Sequence, residues 1–323
     1  MDLPISLRAA IEAEIAGTPL ADLRRAGEVL SGRYRAETRD GRMHLSDDLF
    51  AKAYAAARLP ATYAALRAAL ASLVEGRPDF APATLLDVGA GPGTALWAAV
   101  DAFSTLGGAT LLEASAPIRR LGQRLGAGAF AFAPDWRPGD LAADLAAMPR
   151  ADLVTLSYVL DEIAPAAIAP LADSLWSKTD GVLLVLEPGT PAGWIRILTV
   201  RDRLIAAGAH VVAPCPHAQA CPIVAPDWCH FAQRLPRSRL HLRAKEAEVP
   251  YEDEKFAYVA LSRDAPAGPS YARILAPPRA GSGKVRLKLC RRDGTIADAL
   301  VTKRDGDRFR EARRADWGDR LSD

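Results

Sequence analysis

Cysteine is scarce, with four in 323 residues, too few for the disulfide framework of a small secreted scaffold. No apolar run reaches the roughly 18 residues that a spanning helix needs, so no membrane partner is expected. The opening MDLPISLRAAIEAEIAG lacks a basic start followed by an apolar core, so no signal peptide is expected. Internal repeats and low-complexity runs are missing too, although Gly and Pro number 24 each. With 50% hydrophobic and 25% charged residues, a disordered, collagenous or fibrous chain is excluded. The expectation is a soluble protein of a reducing compartment, cytoplasmic and monomeric.

The overall charge of +2 hides an uneven distribution. Residues 231–323 hold 21 Lys and Arg against 14 Asp and Glu, whereas the first 230 residues hold 20 against 25. A basic C-terminal third on a mildly acidic body is the pattern of a polyanion-binding face. Ordinary solvation of a β surface is the alternative.

Residues 1–76 read as an N-terminal helical region. LRAAIEAEIAG and PLADLRRAGEVLSGRY carry apolar residues at helical spacing, and Pro19 suits a first turn. SDDLFAKAYAAARL opens on Ser46 as N-cap, with Asp47 and Asp48 at the positive end of the helix dipole. Pro60 starts a further amphipathic stretch that stops at Gly76. Residues 77–265 then alternate. TLLDVG, ATLLEAS, AFAFA, ADLVTLSYV and GVLLVLEP read as strands, and TALWAAVDAF, APIRRLGQRLG and APAAIAPLADSLW as crossover helices. Strands buried on both faces and alternating with helices imply an α/β fold with a doubly wound parallel sheet. FAYVALSR reads as a closing antiparallel strand. After the link APAGPS, residues 266–323 form a small basic β extension, in which KVRLKLC and TIADALVTK flank the turn RRDG and a second turn, RDGD, follows.

Between the first strand and its helix lies Leu85-Leu86-Asp87-Val88-Gly89-Ala90-Gly91-Pro92-Gly93. Glycines at such a bend let the backbone pass close to a ligand. A dinucleotide fingerprint needs its third glycine three residues after the second. Here Gly93 follows Gly91 by two and position 94 is Thr, which argues against NAD or FAD. The segment resembles the D-x-G-x-G-x-G loop of class I S-adenosylmethionine (SAM)-dependent methyltransferases, which implies a Rossmann-like fold. By that resemblance Asp87, Gly89, Ala90, Gly91 and Gly93 wrap the cofactor, and Glu113, at the end of the second strand, holds its ribose hydroxyls. A carboxylate suits this because it accepts two hydrogen bonds from a vicinal diol. Asp140 and Leu141 stand at the adenine edge, with Asp135 as competitor, and Ser157 closes the set at the end of the fourth strand. Tyr158, Asp161 and Glu162 are candidates for contact with the methyl acceptor. The sequence has neither an N-P-P-Y-type tetrad there nor a cysteine near the loop, so no catalytic residue is assigned.

Three of the cysteines, Cys215, Cys221 and Cys229, lie in the proline-studded loop 214–230; Cys290 follows in the basic tail. Soft thiolates in a stiff loop suit either an iron–sulfur cluster or zinc. The paired C-x-x-C knuckles of zinc ribbons are missing, while His217 and His230 offer a substitute ligand for zinc. Four unrelated reduced thiols are the plain alternative.

The segments YAAARLPATYAAL, LLDVGAGPGTALWA, LVLEPGTPAGW, CPHAQACP, DWCHFAQRLPRSRLHLRAK and YEDEKFAYVALSR together resemble the small-ribosomal-subunit methyltransferase-like family, a mitochondrial ribosome assembly factor and its bacterial relatives. The resemblance runs from about residue 54 to 290. It implies a 4Fe–4S cluster on Cys215, Cys221, Cys229 and Cys290, and a partner in the small ribosomal subunit or its RNA. Joining the loop to Cys290 would bring Arg234, Arg237, Arg239, Arg243 and Lys245 beside Lys284, Arg286, Lys288, Arg291 and Arg292 as one RNA-binding face. Three readings follow: a methyltransferase acting on small-subunit RNA, a non-catalytic assembly factor, and a small-molecule methyltransferase with structural zinc.

Overall fold

The computed structural model describes residues 2–36, 45–238, 241–243, 248–266 and 270–322. Arg239, Lys245 and half of the APAGPS link lie outside the described residues. Four helices come first: α1 (Ile5–Ile15), α2 (Leu20–Arg35), α3 (Asp48–Ala57) and α4 (Leu59–Gly76). The cap of α3 is Asp47 rather than Ser46, because the Asp47 carboxylate accepts the Phe50 N–H at 2.9 Å.

The central unit follows as β1 (Thr84–Val88), α5 (Thr94–Ala102), β2 (Gly108–Glu113), α6 (Ala116–Leu125), β3 (Asp135–Pro138), α7 (Leu141–Asp144) and β4 (Ala151–Ser157). It continues through α8 (Pro165–Lys178), β5 (Thr179–Pro188), α9 (Pro191–Ala206), β6 (His210–Ala213), β7 (Phe231–Pro236) and β8 (Tyr251–Ser262). The sheet runs β3-β2-β1-β4-β5-β8-β6, with β7 also paired to β8. The strands β1 to β5 are parallel, and β8 is antiparallel to β5, β6 and β7. A parallel sheet with one reversed strand, β8, set between β5 and the edge strand β6 is the Rossmann-like methyltransferase arrangement expected.

Further details differ from the sequence reading, two of them in the central unit beside the site. AFAFA is not a strand: the Phe130 ring packs 4.7 Å from Trp97 and Phe132 stacks 6.1 Å from Phe130, while the third strand starts only after Pro134. Alternating phenylalanines look alike in a pleat and in an aromatic groove. The second difference is α9, a helix that the sequence reading does not include. Its N-cap Thr190 accepts the Gly193 N–H at 3.0 Å.

Core side chains alternate along the strands. Leu85, Leu111, Leu153 and Leu184 turn to the face covered by α4, α5 and α6, and Leu86, Leu112, Val154 and Val185 to the face under α8 and α9. Each fully buried aliphatic side chain of this kind contributes about 1.5–3 kcal/mol.

The tail folds as β9 (Tyr271–Ile274), β10 (Arg279–Gly281), β11 (Lys284–Cys290), β12 (Ile296–Thr302), α10 (Asp307–Arg314) and β13 (Arg320–Ser322). Its sheet runs β10-β11-β9-β13 with β12 on β11, and α10 covers Val285, Leu287 and Val301 with Phe309 and Ala312. Arg320 ties this sheet to the body by donating to the Ser72 and Glu75 carbonyls of α4. Among the described residues, no helix is long and apolar enough to cross a membrane.

Candidate cofactor cavity and four-cysteine centre

At the carboxyl ends of the parallel strands, where such sheets bind ligands, lies a cavity of about 240 Å³. Gly89, Gly91, Glu113, Asp140, Leu141 and Ser157 line it. Gly91 has φ +55°, and a Cβ there would meet nothing within 4 Å, so the bend leaves open space where a ligand would pass. The Glu113 carboxylate braces the loop, accepting the Gly91 N–H at 2.8 Å and the Ser115 N–H at 2.7 Å. Burial raises its pKa, and those two backbone donors oppose the rise.

Three of the expected cofactor residues do not line this cavity. Asp87 is buried behind the loop, where Thr155 Oγ1 donates to its Oδ1 at 2.7 Å and its Oδ2 has no partner. Desolvation pushes the Asp87 pKa up to about 7. Ala90 is buried. Gly93, at φ +78°, faces Trp136 and the aromatic groove beside Phe130 and Phe132. Of the two adenine-edge competitors, Asp140 lines the cavity and Asp135 does not; Asp135 is ion-paired with Arg137 at 2.8 Å.

The far side of the cavity is built by the helices. Tyr34 of α2, Tyr54 of α3, Arg58 and Thr62 close it opposite Tyr158, Asp161 and Glu162. Tyr158 Oη donates to Glu254 Oε1 at 2.9 Å, and Arg58 Nη2 reaches the same oxygen at 3.5 Å. Burial raises the pKa of all three tyrosines, so their hydroxyls keep their protons. Burial, then Asp161 and Glu113, pushes Glu162 up to about 7. The sequence reading misses Tyr34, Tyr54, Arg58 and Glu254 as site residues. The family-like segments YAAARLPATYAAL and YEDEKFAYVALSR contain Tyr54 and Arg58 and Glu254 respectively, and they are the signal that could have found these three.

A second cavity brings the four cysteines together. The strands β6 and β7 pair with the same edge of β8, and loop 214–230 spans the gap between them. The cavity in that gap is lined by Cys215, Cys221, Cys229 and Cys290, with Ala257 and Tyr258 of β8, His217, Arg201 and Arg273. Cys290 enters at the end of β11, its Sγ 3.3 Å from His217 Nε2. The turn after it docks on the loop, since a Cβ on Gly294 would collide with the Gln219 side chain. Burial raises the pKa of Cys221 and of Cys229 and pushes Cys290 up to about 12; neighbouring thiols add to each shift.

The donor set is soft, four sulfurs and a histidine with no carboxylate among the lining residues. His217 Nδ1 and Arg201 Nε are buried without partners. Among the described residues, no group of three or more His, Cys, Asp and Glu side chains could hold a metal ion as it stands. The four thiols nonetheless line one cavity together, and soft sulfur donors of this kind suit zinc and an iron–sulfur core alike.

The expected cationic residues divide into groups. Arg234 is ion-paired with Asp253 at 2.7 Å, and Arg237 reaches Glu252 at 3.4 Å. Arg243 is exposed, Arg291 is half-buried, and Arg292 donates to Ser270. Along β11, Lys284 and Arg286 are exposed and Lys288 is half-buried and paired with Asp227, with Val285, Leu287 and Leu289 pointing into the core. The β11 face therefore runs from solvent into the cysteine cavity. Arg279, opposite Arg286 in the β10–β11 register, extends it and is missed by the sequence reading.

The strand order, the glycine loop and the cavity at its mouth define a methyltransferase-fold protein. The family model for mitochondrial small ribosomal subunit Rsm22 matches residues 48–322. The chain belongs to that family. It is 31% identical over 286 residues to the human mitochondrial ribosome assembly protein METTL17, covering 83% of this chain and 61% of the relative. It is 25% identical over 319 residues to a mitochondrial Rsm22-cox11 tandem protein of Schizosaccharomyces pombe, of which it spans 42%. The chain thus spans between two-fifths and three-fifths of these relatives. Among solved structures it is similar to an O-methyltransferase family protein from Burkholderia thailandensis, with 13% identity, TM-score 0.44, and coverage of 77% of this chain and 72% of that one. It is also similar to a magnesium protoporphyrin IX methyltransferase from Synechocystis with bound SAH, with 13% identity, TM-score 0.42, and coverage of 72% and 94%.

Proposed function

We propose that this chain is a SAM-binding factor of small-ribosomal-subunit assembly, carrying an iron–sulfur cluster beside a cationic RNA-contacting strand. The observation that carries the reading is the cavity in which Gly91 leaves space for a ligand and Glu113 stands at the end of β2. Asp87, Gly89, Ala90, Gly91 and Gly93 shape the loop, Glu113 receives the ribose hydroxyls, Asp140 and Leu141 stand at the adenine, and Ser157 completes the rim. SAM supplies an electrophilic methyl group when bound. The chain's own contribution is placement: the half-buried Tyr34, Tyr54 and Tyr158 wall the cavity, and the Glu254 carboxylate holds Tyr158 and Arg58 in place. Methyl transfer depends chiefly on such in-line positioning.

Cys215, Cys221, Cys229 and Cys290 would hold the cluster, with zinc as the alternative metal. A centre on loop 214–230 and β11 would fasten the tail to the body. It would also present Lys284 and Arg286 to RNA phosphates next to Arg291 and Arg292, with Lys288 already paired to Asp227. Within the unit spanning residues 77–265 the fold and cavity form, residues 1–76 roof the cavity, and 266–323 carry the cationic strand. Because the relatives are mitochondrial by name, the proposed compartment widens from the bacterial cytoplasm to include the mitochondrial matrix.

The non-catalytic reading is favoured by the ties at the acceptor side, where Tyr158 and Arg58 already share the Glu254 carboxylate. Calorimetry with SAM and SAH, followed by transfer assays with labelled SAM on small-subunit RNA, tests the proposal. Binding with transfer supports an enzyme; binding without transfer supports an assembly factor. No binding of either cofactor form overturns the cavity assignment. A colourless, zinc-loaded protein without salt-dependent RNA affinity would favour a small-molecule methyltransferase.

A further inference from the structure

Two arginines line the four-cysteine cavity, Arg201 of α9 and Arg273 of β9, each only 1% exposed. A guanidinium cannot shed its charge in a protein, and burying it without a counter-ion is costly. Arg273 donates to neutral acceptors: the Pro214 carbonyl at 2.8 Å, the Gly318 carbonyl and the Tyr271 hydroxyl. Arg201 donates to the His217 carbonyl at 3.1 Å and to the Gln219 carbonyl at 2.7 Å. The carboxylate paired with it, Asp202, is 57% exposed and well screened, and Arg201 Nε is left without a partner. No Asp or Glu lines the cavity. Two buried positive charges therefore face a space that offers no fixed negative charge except through its thiols.

We propose that Arg201 and Arg273 are the counter-charges of a doubly negative metal–thiolate centre in this cavity. Four thiolates around a doubly positive core, whether zinc or an oxidised iron–sulfur core, leave a net double negative charge. Two guanidiniums neutralise it. The same residues bridge parts of the chain that must close on the centre. Arg201 holds the loop carbonyls between Cys215 and Cys221, and Arg273 joins the start of the loop to the C-terminal segment. With an iron–sulfur core, which gains negative charge on reduction, the two cations would also favour the reduced form. This inference rests on the metal reading of the cavity given above.

The test uses the full chain, purified anaerobically and reconstituted with ferrous iron and sulfide, with zinc alone as a parallel arm. Arg201→Gln and Arg273→Gln keep an N–H donor and remove the charge, whereas Arg201→Lys and Arg273→Lys keep the charge and lose the fork. The Gln variants are expected to release metal to a chelator about tenfold faster or more, and to show a lower reduction midpoint if the centre is iron–sulfur. The Lys variants should stay close to the parent in both. Metal-free protein gives a second readout: there the Gln variants should unfold no earlier than the parent, although they unfold earlier when loaded. Equal losses in Gln and Lys variants with an unmoved midpoint, or equal destabilisation with and without metal, would overturn the counter-charge role and leave only carbonyl bridging. Failure of the parent chain to retain either metal would overturn the metal reading itself, and this inference with it.

Discussion

Tyr158 Oη donates to Glu254 Oε1 at 2.9 Å from a backbone held at φ +58°. Among the described residues it is the one non-glycine residue with positive φ, a conformation that costs energy unless its surroundings impose it. The bond joins the end of β4 to β8 and, through Arg58, to the start of α4. Tyr158→Phe removes one donor from a nearly buried carboxylate and should cost roughly 1–3 kcal/mol of stability, read by denaturant unfolding. SAM affinity should fall as the roof of the cavity loosens. A variant as stable as the parent, with unchanged affinity, would show that the bond does not hold the roof.

The glycine loop makes a sharper demand. At Gly91 the φ of +55° disfavours any side chain, and a Cβ would project into the open space of the cavity. Gly91→Val should abolish SAM binding by calorimetry while leaving the far-ultraviolet circular dichroism unchanged. Normal affinity would remove the loop from the cofactor site.

Asp87 gives a pH signature. Burial raises its pKa from 3.8 to about 7, so the folded protein keeps a proton that the unfolded chain releases. The stabilisation from this group is complete below pH about 4 and is lost as pH rises through about 7, with a slope of up to about 1.4 kcal/mol per pH unit. Asp87→Asn, which cannot ionise, should lose that slope; the check is the difference between the two unfolding free energies across pH 4–8. Parallel pH profiles would show that Asp87 is not the group responsible.

Local chemistry is legible in the sequence and long-range pairing is not. The loop from Asp87 to Gly93 and the carboxylate at Glu113 stand out because glycine spacing and the strand end are read within a few residues. AFAFA misleads because two phenylalanines at a spacing of two look the same in a pleat and in a groove against Trp97. The Arg58–Glu254 contact spans 196 positions, and no local pattern announces it. Arg201 and Arg273 are letters that normally sit in water; only the fold shows them buried. The basic face follows from charge count, yet Arg234 and Arg237 are paired across the β7–β8 ladder, and cross-strand pairing cannot be counted from composition.

The cysteine cavity predicts a coupling between metal and tail. Cys221→Ser should lose the metal, and without it the sheet of β9 to β13 should become the first part of the chain cut by limited proteolysis. Arg320 and the packing of Gly294 on Gln219 remain as weaker ties. Full metal content, or equal protease resistance, in the variant would contradict the coupling.

The division among the cations leads to the last prediction. Lys284 and Arg286 point to solvent from β11, and Arg279 lies opposite Arg286. Arg234 is held by two hydrogen bonds to Asp253 and lies over the Tyr251 ring. A cation already neutralised by a neighbouring carboxylate releases few counter-ions on meeting a phosphate, whereas one facing open solvent releases its full share. Reversing both Lys284 and Arg286 to Glu should weaken binding to small-subunit RNA and flatten the plot of log affinity against log salt by about 0.7–0.9 for each phosphate no longer neutralised. Arg234→Gln should leave that slope nearly unchanged. The reverse ranking would move the RNA from β11 to the β7–β8 hairpin, and two unchanged slopes would take RNA off both surfaces.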